Sequence, residues 1–295
     1  MPVSPAVRGN GAIMNQTDTE LLAPRTVVAH RLATVDMLPE LRERLLGLLD
    51  DDLHYLAVAR PWGRMLTQIA AILGSSSLAP VFEAAWLVMH AAAMHLDHLQ
   101  DGDEVAPQLA DLPPATQYQL VFSYYVLATA ILDDLPAGGL SPERTLKIHQ
   151  LWSDAMLRIA SGQYYDLTAA APKEQLPSLD AYQELAHAKT GAAFGLAFAG
   201  LTILNGHNAA LCGAMLTTGE LFGGLLQYVD DLIDEELSLS LIPASKSLGD
   251  PLLWERIFFS YRHAIEQLLS DYEPGLVLPV LQLFDRTFAR PAAAA

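Results

Sequence analysis

Residues 227–235 read Gln-Tyr-Val-Asp-Asp-Leu-Ile-Asp-Glu, and an apolar run at residues 221–226 comes directly before them. On a helix, residues four apart lie on one face, so Asp230 and Asp234 project together and Asp231 lies beside them. Carboxylates crowded on an apolar helix repel one another unless a counter-ion is present. Hard oxygen ligands of this kind suit Mg²⁺, which binds through a few carboxylates, waters and substrate phosphates. The stretch therefore indicates a magnesium site on or near a buried helix.

A second acidic cluster ends another apolar run. Residues 95–104 read His-Leu-Asp-His-Leu-Gln-Asp-Gly-Asp-Glu, so Asp97 and Asp101 are again four apart. Two such clusters, facing each other across a helical bundle, could hold Mg²⁺ and grip a diphosphate leaving group. Either cluster taken alone is also explained as a solvated acidic face, which is the interpretation we give to the acidic runs at 50–52 and 133–134.

Length, hydropathy and helical periodicity favour an all-α, single-domain bundle with buried central helices, and the two acidic clusters could face each other across a central cavity of that bundle. The chain has 295 residues, 52% of them hydrophobic, and a mean hydropathy of +0.24. Helical periodicity dominates. The two longest apolar runs lie at residues 84–96 and 192–204, and both are shorter than the roughly 20 residues that a membrane span needs. We therefore predict no membrane span, a disordered leader at residues 1–25 and a helical domain at residues 26–290.

The charge balance excludes nucleic acid as a partner. The formal net charge is −17, from 34 acidic and 17 basic residues, so most of the surface repels phosphates. A diphosphate ligand meets the same repulsion unless divalent cations mediate. A single cysteine and the lack of a secretory signal favour a cytoplasmic location.

Two further elements carry polar groups that suit this chemistry. Lys189 and Thr190 come before a run of small residues, and the lysine is either a surface group or a cation that neutralises a leaving diphosphate. Gln163 and Asp166 are three apart, so they line one pocket or form a polar stripe on a helix surface.

In their order along the chain, these residues resemble the trans-isoprenyl diphosphate synthase, or polyprenyl synthetase, family. The resemblance covers about residues 55 to 250, and it adds a histidine seven residues before the first motif. It implies an isoprenoid-synthase-type fold, an enzyme that uses an allylic prenyl diphosphate, a homodimer, and Mg²⁺ held by both aspartate motifs. The metal ligands it implies are Asp97, Asp101, Asp230, Asp231 and Asp234.

The same resemblance implies roles for other side chains. Lys189, Gln227 and Asp230 correspond to catalytic positions. The substrate-binding positions are Lys189, Lys246, Gln163, Thr190, His90 and Arg64. A zinc site made by His90, His95 and His98 is disfavoured, because their spacing fits one helix face only loosely.

Several departures from the family pattern concern the second substrate. His98 stands where the first motif usually has aspartate, and residues 102–107 lack the arginine pair that binds diphosphate. The N-terminal signature for isopentenyl diphosphate is reduced to residues 60–64, Arg-Pro-Trp-Gly-Arg. Binding two diphosphates side by side needs several cations. We therefore expect an enzyme that ionises an allylic diphosphate without efficient extension, so that the cation cyclises, adds water or alkylates another acceptor, as in terpene synthases.

Two alternatives stay open. One is a chain-elongating prenyltransferase that uses isopentenyl diphosphate, and the other is a non-catalytic partner subunit of a prenyl diphosphate synthase. The small side chains at residues 91–93 suggest a roomy cavity wall and favour a C15 or C20 substrate. Aromatic side chains able to stabilise a carbocation are Tyr124, Tyr125, Tyr164, Tyr165, Phe194, Phe198 and Tyr228.

Overall fold

The structure, a computed structural model, describes residues 16–58, 62–169, 179–233 and 251–288. All regular structure in these ranges is helical, which confirms the all-α prediction. The α-helices are α1 (Gln16–Thr34), α2 (Pro39–Val58), α3 (Trp62–Leu73), α4 (Ala79–Asp101), α5 (Pro107–Ala110), α6 (Pro114–Leu132), α7 (Pro142–Ala169), α8 (Leu179–Ala186), α9 (Ala192–Leu204), α10 (Ala209–Ile233), α11 (Pro251–Tyr272) and α12 (Pro274–Thr287). A π-helical segment, His187–Gly191, joins α8 to α9.

The first helix begins earlier than the sequence suggested. The predicted leader ends at residue 25, but α1 starts at Gln16 and carries Pro24 in its interior. A proline removes one backbone donor and restricts the residue before it, which is why the sequence favoured a break there. Residues 1–15 of the predicted leader lie outside the described residues.

Helix α4 presents the first aspartate motif at its C-terminal end. Most of its length is buried, because it packs against α1, α6 and α9. The helix stops at Gly102, which adopts a left-handed backbone with φ of 77°, and its N–H bonds to the carbonyl oxygen of His98. Asp97 and Asp101 therefore lie in the last turns of a helix that the core holds in place.

Helix α10 packs unusually closely on α9 and on the π-helical segment through glycines. A Cβ added at Gly219 would lie 2.3 Å from the carbonyl oxygen of Phe194, and one at Gly223 would lie 2.6 Å from that of Thr190. Helix backbones approach this closely only where small residues face each other. The contact fixes the π-helical segment against α10, the helix that carries the second aspartate motif.

The central helices are buried, as the hydropathy predicted. Residues 192–202 of α9 are buried on every face. Among the described residues, one stretch, Ala209–Asp231, is long and apolar enough to cross a membrane, and 56% of its apolar window is buried within the fold. A core helix of a bundle has these properties as well.

The run of three aspartates in α2 is not a solvated helix end, which corrects the sequence interpretation. Asp52 is only 7% exposed, and both its carboxylate oxygens lie 3.0 Å from Nε2 of His95 on α4. The hydroxyl of Tyr124 on α6 donates to the same carboxylate at 3.2 Å. The neighbouring Asp50 pairs with Arg25 at the surface. Asp52 thus joins α2, α4 and α6 behind the first motif.

Candidate active site

Lys189 lies between two carboxylates from different helices. Its ammonium nitrogen is 2.8 Å from Oδ1 of Asp97 at the end of α4 and 2.9 Å from Oδ2 of Asp166 on α7. The lysine side chain is only 16% exposed. Three elements that are distant in sequence therefore meet at one cation.

The electrostatics keep this lysine charged. Burial by itself lowers the pKa of the Lys189 ammonium, but the charges and hydrogen bonds of Asp97 and Asp166 raise that pKa well above its ordinary value. Burial, and then the negative charge of Asp97, raise the pKa of Tyr125 to about 12. Near the first motif the chain therefore presents a permanent cation and a neutral phenol.

Gln163 contacts the same carboxylate. Its amide nitrogen donates to Oδ1 of Asp97 at 2.8 Å and to the side-chain oxygen of Gln100 at 3.1 Å. Gln163 and Asp166 thus both reach the cluster formed by Asp97 and Lys189. The arrangement leaves one amide and one ammonium directed at a single oxygen of the first motif.

The second motif is reached by a chain of hydrogen bonds. The hydroxyl of Thr190 donates to the side-chain oxygen of Gln227, whose amide donates to Oδ1 of Asp231 at 2.7 Å. The phenol of Tyr182 donates to the other oxygen of Asp231. Burial, and then the charge of Asp231, raise the pKa of Tyr182, so this phenol stays protonated as a donor.

The π-helical segment connects the two motifs. Lys189 reaches the first motif while the adjacent Thr190 reaches the second, and both belong to His187–Gly191. In a regular helix, successive side chains point about 100° apart, so adjacent residues can contact different neighbouring elements. Wide helical turns of this kind occur frequently at functional sites.

The residues present fit a hard cation, although no complete ligand set is assembled. Among the described residues, no group of three or more histidine, cysteine, aspartate or glutamate side chains converges closely enough to hold a metal ion. Asp97 and Asp166 nevertheless converge on the ammonium of Lys189, which occupies the place of a cation between them. Carboxylates are the ligands that Mg²⁺ prefers. Asp234 lies outside the described residues.

The other predicted ligands lie near these positions. Asp101 is exposed at the last residue of α4, and Asp230 is half-buried on α10 beside Asp231. Arg64 is exposed at the third residue of α3, while Lys246 lies outside the described residues. Their assignments as metal or substrate contacts remain predictions.

His90 lies in an aromatic layer between α4 and α9. Its ring stacks on Trp86 with centroids 4.8 Å apart and meets the edge of Phe194 at 5.9 Å. The indole N–H of Trp86 donates to the carbonyl oxygen of Ala193 at 2.7 Å, which fixes the layer between α4 and α9. His95 points to Asp52 instead, so His90 and His95 have different surroundings.

Some aromatic side chains proposed to line the pocket have other surroundings. Tyr164 is 70% exposed, which places its ring at the surface of α7. Phe198 packs in the core against Phe222. Tyr124 is fully buried and bonded to Asp52. Tyr182, which sequence reasoning missed, contacts the second motif directly; a tyrosine seven residues before Lys189 was its only signal.

Comparison with known protein families finds a match over the middle of the chain. Residues 115–238 match the sequence model described as Polyprenyl synthetase. Over this region the chain is similar to the polyprenyl synthetase family. The matched region begins after the first aspartate motif and ends just beyond the second, so it contains Gln163, Lys189 and Gln227. No curated protein sequence matches the chain significantly.

Solved structures share the fold at low sequence identity. A geranylgeranyl pyrophosphate synthetase from the archaeon Geoglobus acetivorans superposes with a TM-score of 0.66 at 17% identity, over 94% of this chain and 99% of that one. An FPP/GFPP synthase from Zymomonas mobilis gives 0.68 at 18%, over 92% and 98%. The geranyl diphosphate synthase small subunit from Antirrhinum majus gives 0.62 at 17%, over 92% and 100%. The isoprenoid-synthase-type bundle predicted from the motifs is therefore confirmed.

Proposed function

We propose that this chain is a divergent member of the polyprenyl synthetase family and a Mg²⁺-dependent enzyme that ionises an allylic isoprenoid diphosphate. We further propose that the resulting cation cyclises or passes to an acceptor other than isopentenyl diphosphate. The observation that carries the proposal is the pair Lys189 and Thr190, which joins the first aspartate motif to the second. A cation and two acidic clusters held around one position suit the departure of a diphosphate.

The chain's own residues supply charged groups and an apolar interior that would exclude water. When bound, Mg²⁺ would neutralise the diphosphate, and Asp97, Asp101 and Asp230 would hold it, supported by Asp231 and Asp234. Lys189 stays charged and would stabilise the negative charge that develops on the leaving group. Helix α9 packs against both α4 and α10 through buried apolar side chains. An apolar interior of this kind would keep water from a reactive cation.

The surroundings of the second-substrate positions support the view that extension is inefficient. His90 is stacked within an aromatic layer, and the segment at residues 102–107 carries no lysine or arginine. A second diphosphate beside the first would face the repulsion of a chain with net charge −17. An aromatic layer suits a hydrocarbon tail or a carbocation better than a diphosphate.

The first alternative is a chain-elongating prenyltransferase. The solved structures named above include proteins described as synthases of prenyl diphosphates, and Arg64 and Lys246 could supply cations for isopentenyl diphosphate. The second alternative is a non-catalytic partner subunit, which the likeness to the Antirrhinum majus small subunit keeps open. The ion pair of Lys189 with Asp97 favours an enzyme, because a purely regulatory subunit gains little from a cation aimed at an acidic motif.

The side chains of α4 just before the first motif bear on the chain length of the substrate. Residues 91–93 are alanines, and the larger Trp86 and His90 come next along the helix toward its N-terminus. Small side chains beside the first motif leave room for a prenyl tail, and the aromatic layer beyond them would limit its reach. We therefore keep a C15 or C20 substrate as the proposal.

An exposed stripe on α6 supports a homodimer. Tyr118, Phe122 and Val126 are four residues apart and are 42%, 60% and 51% exposed, so they form one apolar face opposite the buried face of α6. Apolar patches of this kind mark interaction sites. Light scattering should give twice the chain mass, and Phe122→Glu should shift the protein toward monomer. A wild-type monomer would contradict the proposal.

A cytoplasmic location stays a prediction.

The deciding experiment incubates the purified chain with Mg²⁺ and allylic diphosphates of C10, C15 and C20 length, with and without isopentenyl diphosphate. Diphosphate release and hydrocarbon products are both followed. Release without isopentenyl diphosphate, yielding a cyclic or hydroxylated product, supports the proposal. Longer diphosphates formed only with isopentenyl diphosphate would establish the elongating alternative. No reaction under any condition would favour the partner-subunit alternative.

A further inference from the structure

The arrangement around Lys189 raises a conflict that the proposed function must resolve. Asp97 is the first proposed metal ligand, yet one of its oxygens already accepts hydrogen bonds from Lys189 at 2.8 Å and Gln163 at 2.8 Å. An ammonium and a divalent cation compete for the same carboxylate, because each repels the other at such short range. A change of partner at Asp97 when metal binds would relieve this repulsion.

We propose that Lys189 is an internal counter-ion of Asp97 that Mg²⁺ displaces, and that Asp166 retains the lysine after the exchange. The inference rests on the proposed function and concerns the regulation of the same site. In the metal-free chain, Lys189 neutralises the first motif. Once metal takes Asp97, the ammonium stays within reach of Asp166 and is available to a diphosphate.

The geometry around Asp166 makes it a positioning residue. Asp166 lies on α7 and bonds to Lys189 at 2.9 Å, while Asp97 lies on α4 and bonds to it at 2.8 Å. Both carboxylates are partly buried, with side-chain exposures of 32% for Asp97 and 29% for Asp166. A lysine with two partners can lose one and keep the other, so its charge remains placed when Asp97 is engaged.

This exchange makes metal and diphosphate binding cooperative. Without metal, Lys189 is paired with both Asp97 and Asp166. Its charge is then neutralised, and the surrounding acidic groups repel a diphosphate. With metal bound, one of those contacts is released. The differential interaction of Mg²⁺ with the two arrangements is what shifts the equilibrium between them.

Zero-length cross-linking tests the exchange directly. A water-soluble carbodiimide joins an amine to a carboxylate only where the two are in contact, and mass spectrometry identifies the linked peptides. The chain has four lysines, and Lys147 bonds to Glu143 at 2.7 Å on the exposed surface of α7, which supplies an internal reference. The probe is Mg²⁺ alone, without diphosphate.

We expect both Lys189–Asp97 and Lys189–Asp166 links in the metal-free chain. At saturating Mg²⁺ the Lys189–Asp97 link should be lost, the Lys189–Asp166 link retained and the Lys147–Glu143 link unchanged. Retention of the Lys189–Asp97 link at saturation would overturn the exchange, and loss of both Lys189 links would overturn the role of Asp166. Lys189→Gln confirms the peptide assignments.

A binding measurement gives a second test. Mg²⁺ affinity without diphosphate, measured by calorimetry, should rise about tenfold in Lys189→Gln, because the competing charge-assisted hydrogen bond is gone. Lys147→Gln removes the same charge elsewhere and should change the affinity little. Equal affinities of wild type and Lys189→Gln would overturn the inference. Another outcome is loss of the Lys189–Asp97 cross-link on addition of Mg²⁺ without release of diphosphate from any substrate. That result would contradict the proposed function and still support the exchange.

Discussion

Gly162 of α7 lies directly against the backbone of Lys189. A Cβ added at Gly162 would stand 2.7 Å from the Lys189 nitrogen and 2.9 Å from the carbonyl carbon of Ala188. Helix α7 therefore approaches the π-helical segment only because residue 162 has no side chain. The same approach brings Gln163 and Asp166 to the lysine, so the geometry of the candidate site depends on this glycine.

Gly162→Ala should separate α7 from the π-helical segment. Forcing a methyl group into a closely packed contact costs about 1–3 kcal/mol of the free energy of unfolding. The change should also weaken Mg²⁺ binding, because a Lys189 that loses Asp166 is left with Asp97 as its partner and competes more strongly for that carboxylate. Chemical denaturation and calorimetry measure the two effects.

Gly47→Ala is the matched control for that substitution. Gly47 lies in α2 with nothing within 4 Å of its added Cβ, so alanine should stabilise the protein by about 0.5–1 kcal/mol. A Gly162→Ala variant that gains stability as Gly47→Ala does would contradict the close approach.

Lys189→Gln should lower the rate of diphosphate release by about 10²–10³-fold, a loss typical of removing one group that stabilises developing negative charge. Lys147→Gln, which removes an exposed lysine paired with Glu143, should leave the rate unchanged. Asp230→Ala should also abolish release if that residue holds metal. Release at the wild-type rate from either Lys189→Gln or Asp230→Ala would remove the corresponding role.

Thr190→Val should uncouple the second motif from the π-helical segment. Valine keeps the shape of the side chain but removes the hydroxyl that donates to Gln227. An acceptor left without its donor costs about 1–3 kcal/mol. We expect lower stability and a slower release of diphosphate, while Thr190→Ser retains the donor and most of the activity. Identical kinetics for the valine and serine variants would show that the hydroxyl is not needed.

The sequence predicted the helical fold and several residues of the site for local reasons. Asp97, Gln163 and Lys189 were recognised because each belongs to a short motif whose spacing suits one helix face or one family pattern. The structure brings these three together, and it pairs Gln227 with Asp231 within one helical turn. Their roles toward metal and substrate remain predictions.

The sequence could not separate members of one acidic run. Asp50 and Asp52 have the same chemistry and lie in one helix, but only Asp52 faces α4 and α6. Burial of that kind depends on how distant helices pack, which no local pattern records. The π-helical widening at His187–Gly191 and the contact of Tyr182 with Asp231 depend on tertiary packing in the same way.

Asp52→Asn should be strongly destabilising, while Asp50→Asn should not. The first change removes the charged acceptor shared by His95 and Tyr124 inside the fold, and we expect a loss of about 2 kcal/mol or more. The second weakens an exposed pair with Arg25, which is worth about 0.5 kcal/mol or less. Urea denaturation of both variants measures the difference. Equal losses would contradict the buried network.

Glu83 of α4 should make the stability of the protein depend on pH. Burial raises the pKa of its carboxyl from 4.5 to about 7. The hydroxyl of Thr67, which donates to the carboxylate at 3.3 Å, lowers the pKa by a smaller amount. The folded state therefore favours the uncharged acid, which has only 7% exposure. Its contribution to the free energy of unfolding is fully present below about pH 4.5 and is lost as the pH rises through about 7.

The size of this effect follows from the pKa change. A rise from 4.5 to about 7 corresponds to about 3 kcal/mol, since one pKa unit is worth about 1.4 kcal/mol. Glu83→Gln replaces the acid by a neutral group, so its stability should fall less between pH 5 and 7.5 than that of the wild type. Glu143→Gln, at the exposed start of α7, should keep the wild-type slope. If Glu83→Gln and wild type lose stability in parallel across this range, Glu83 ionises normally in the folded chain.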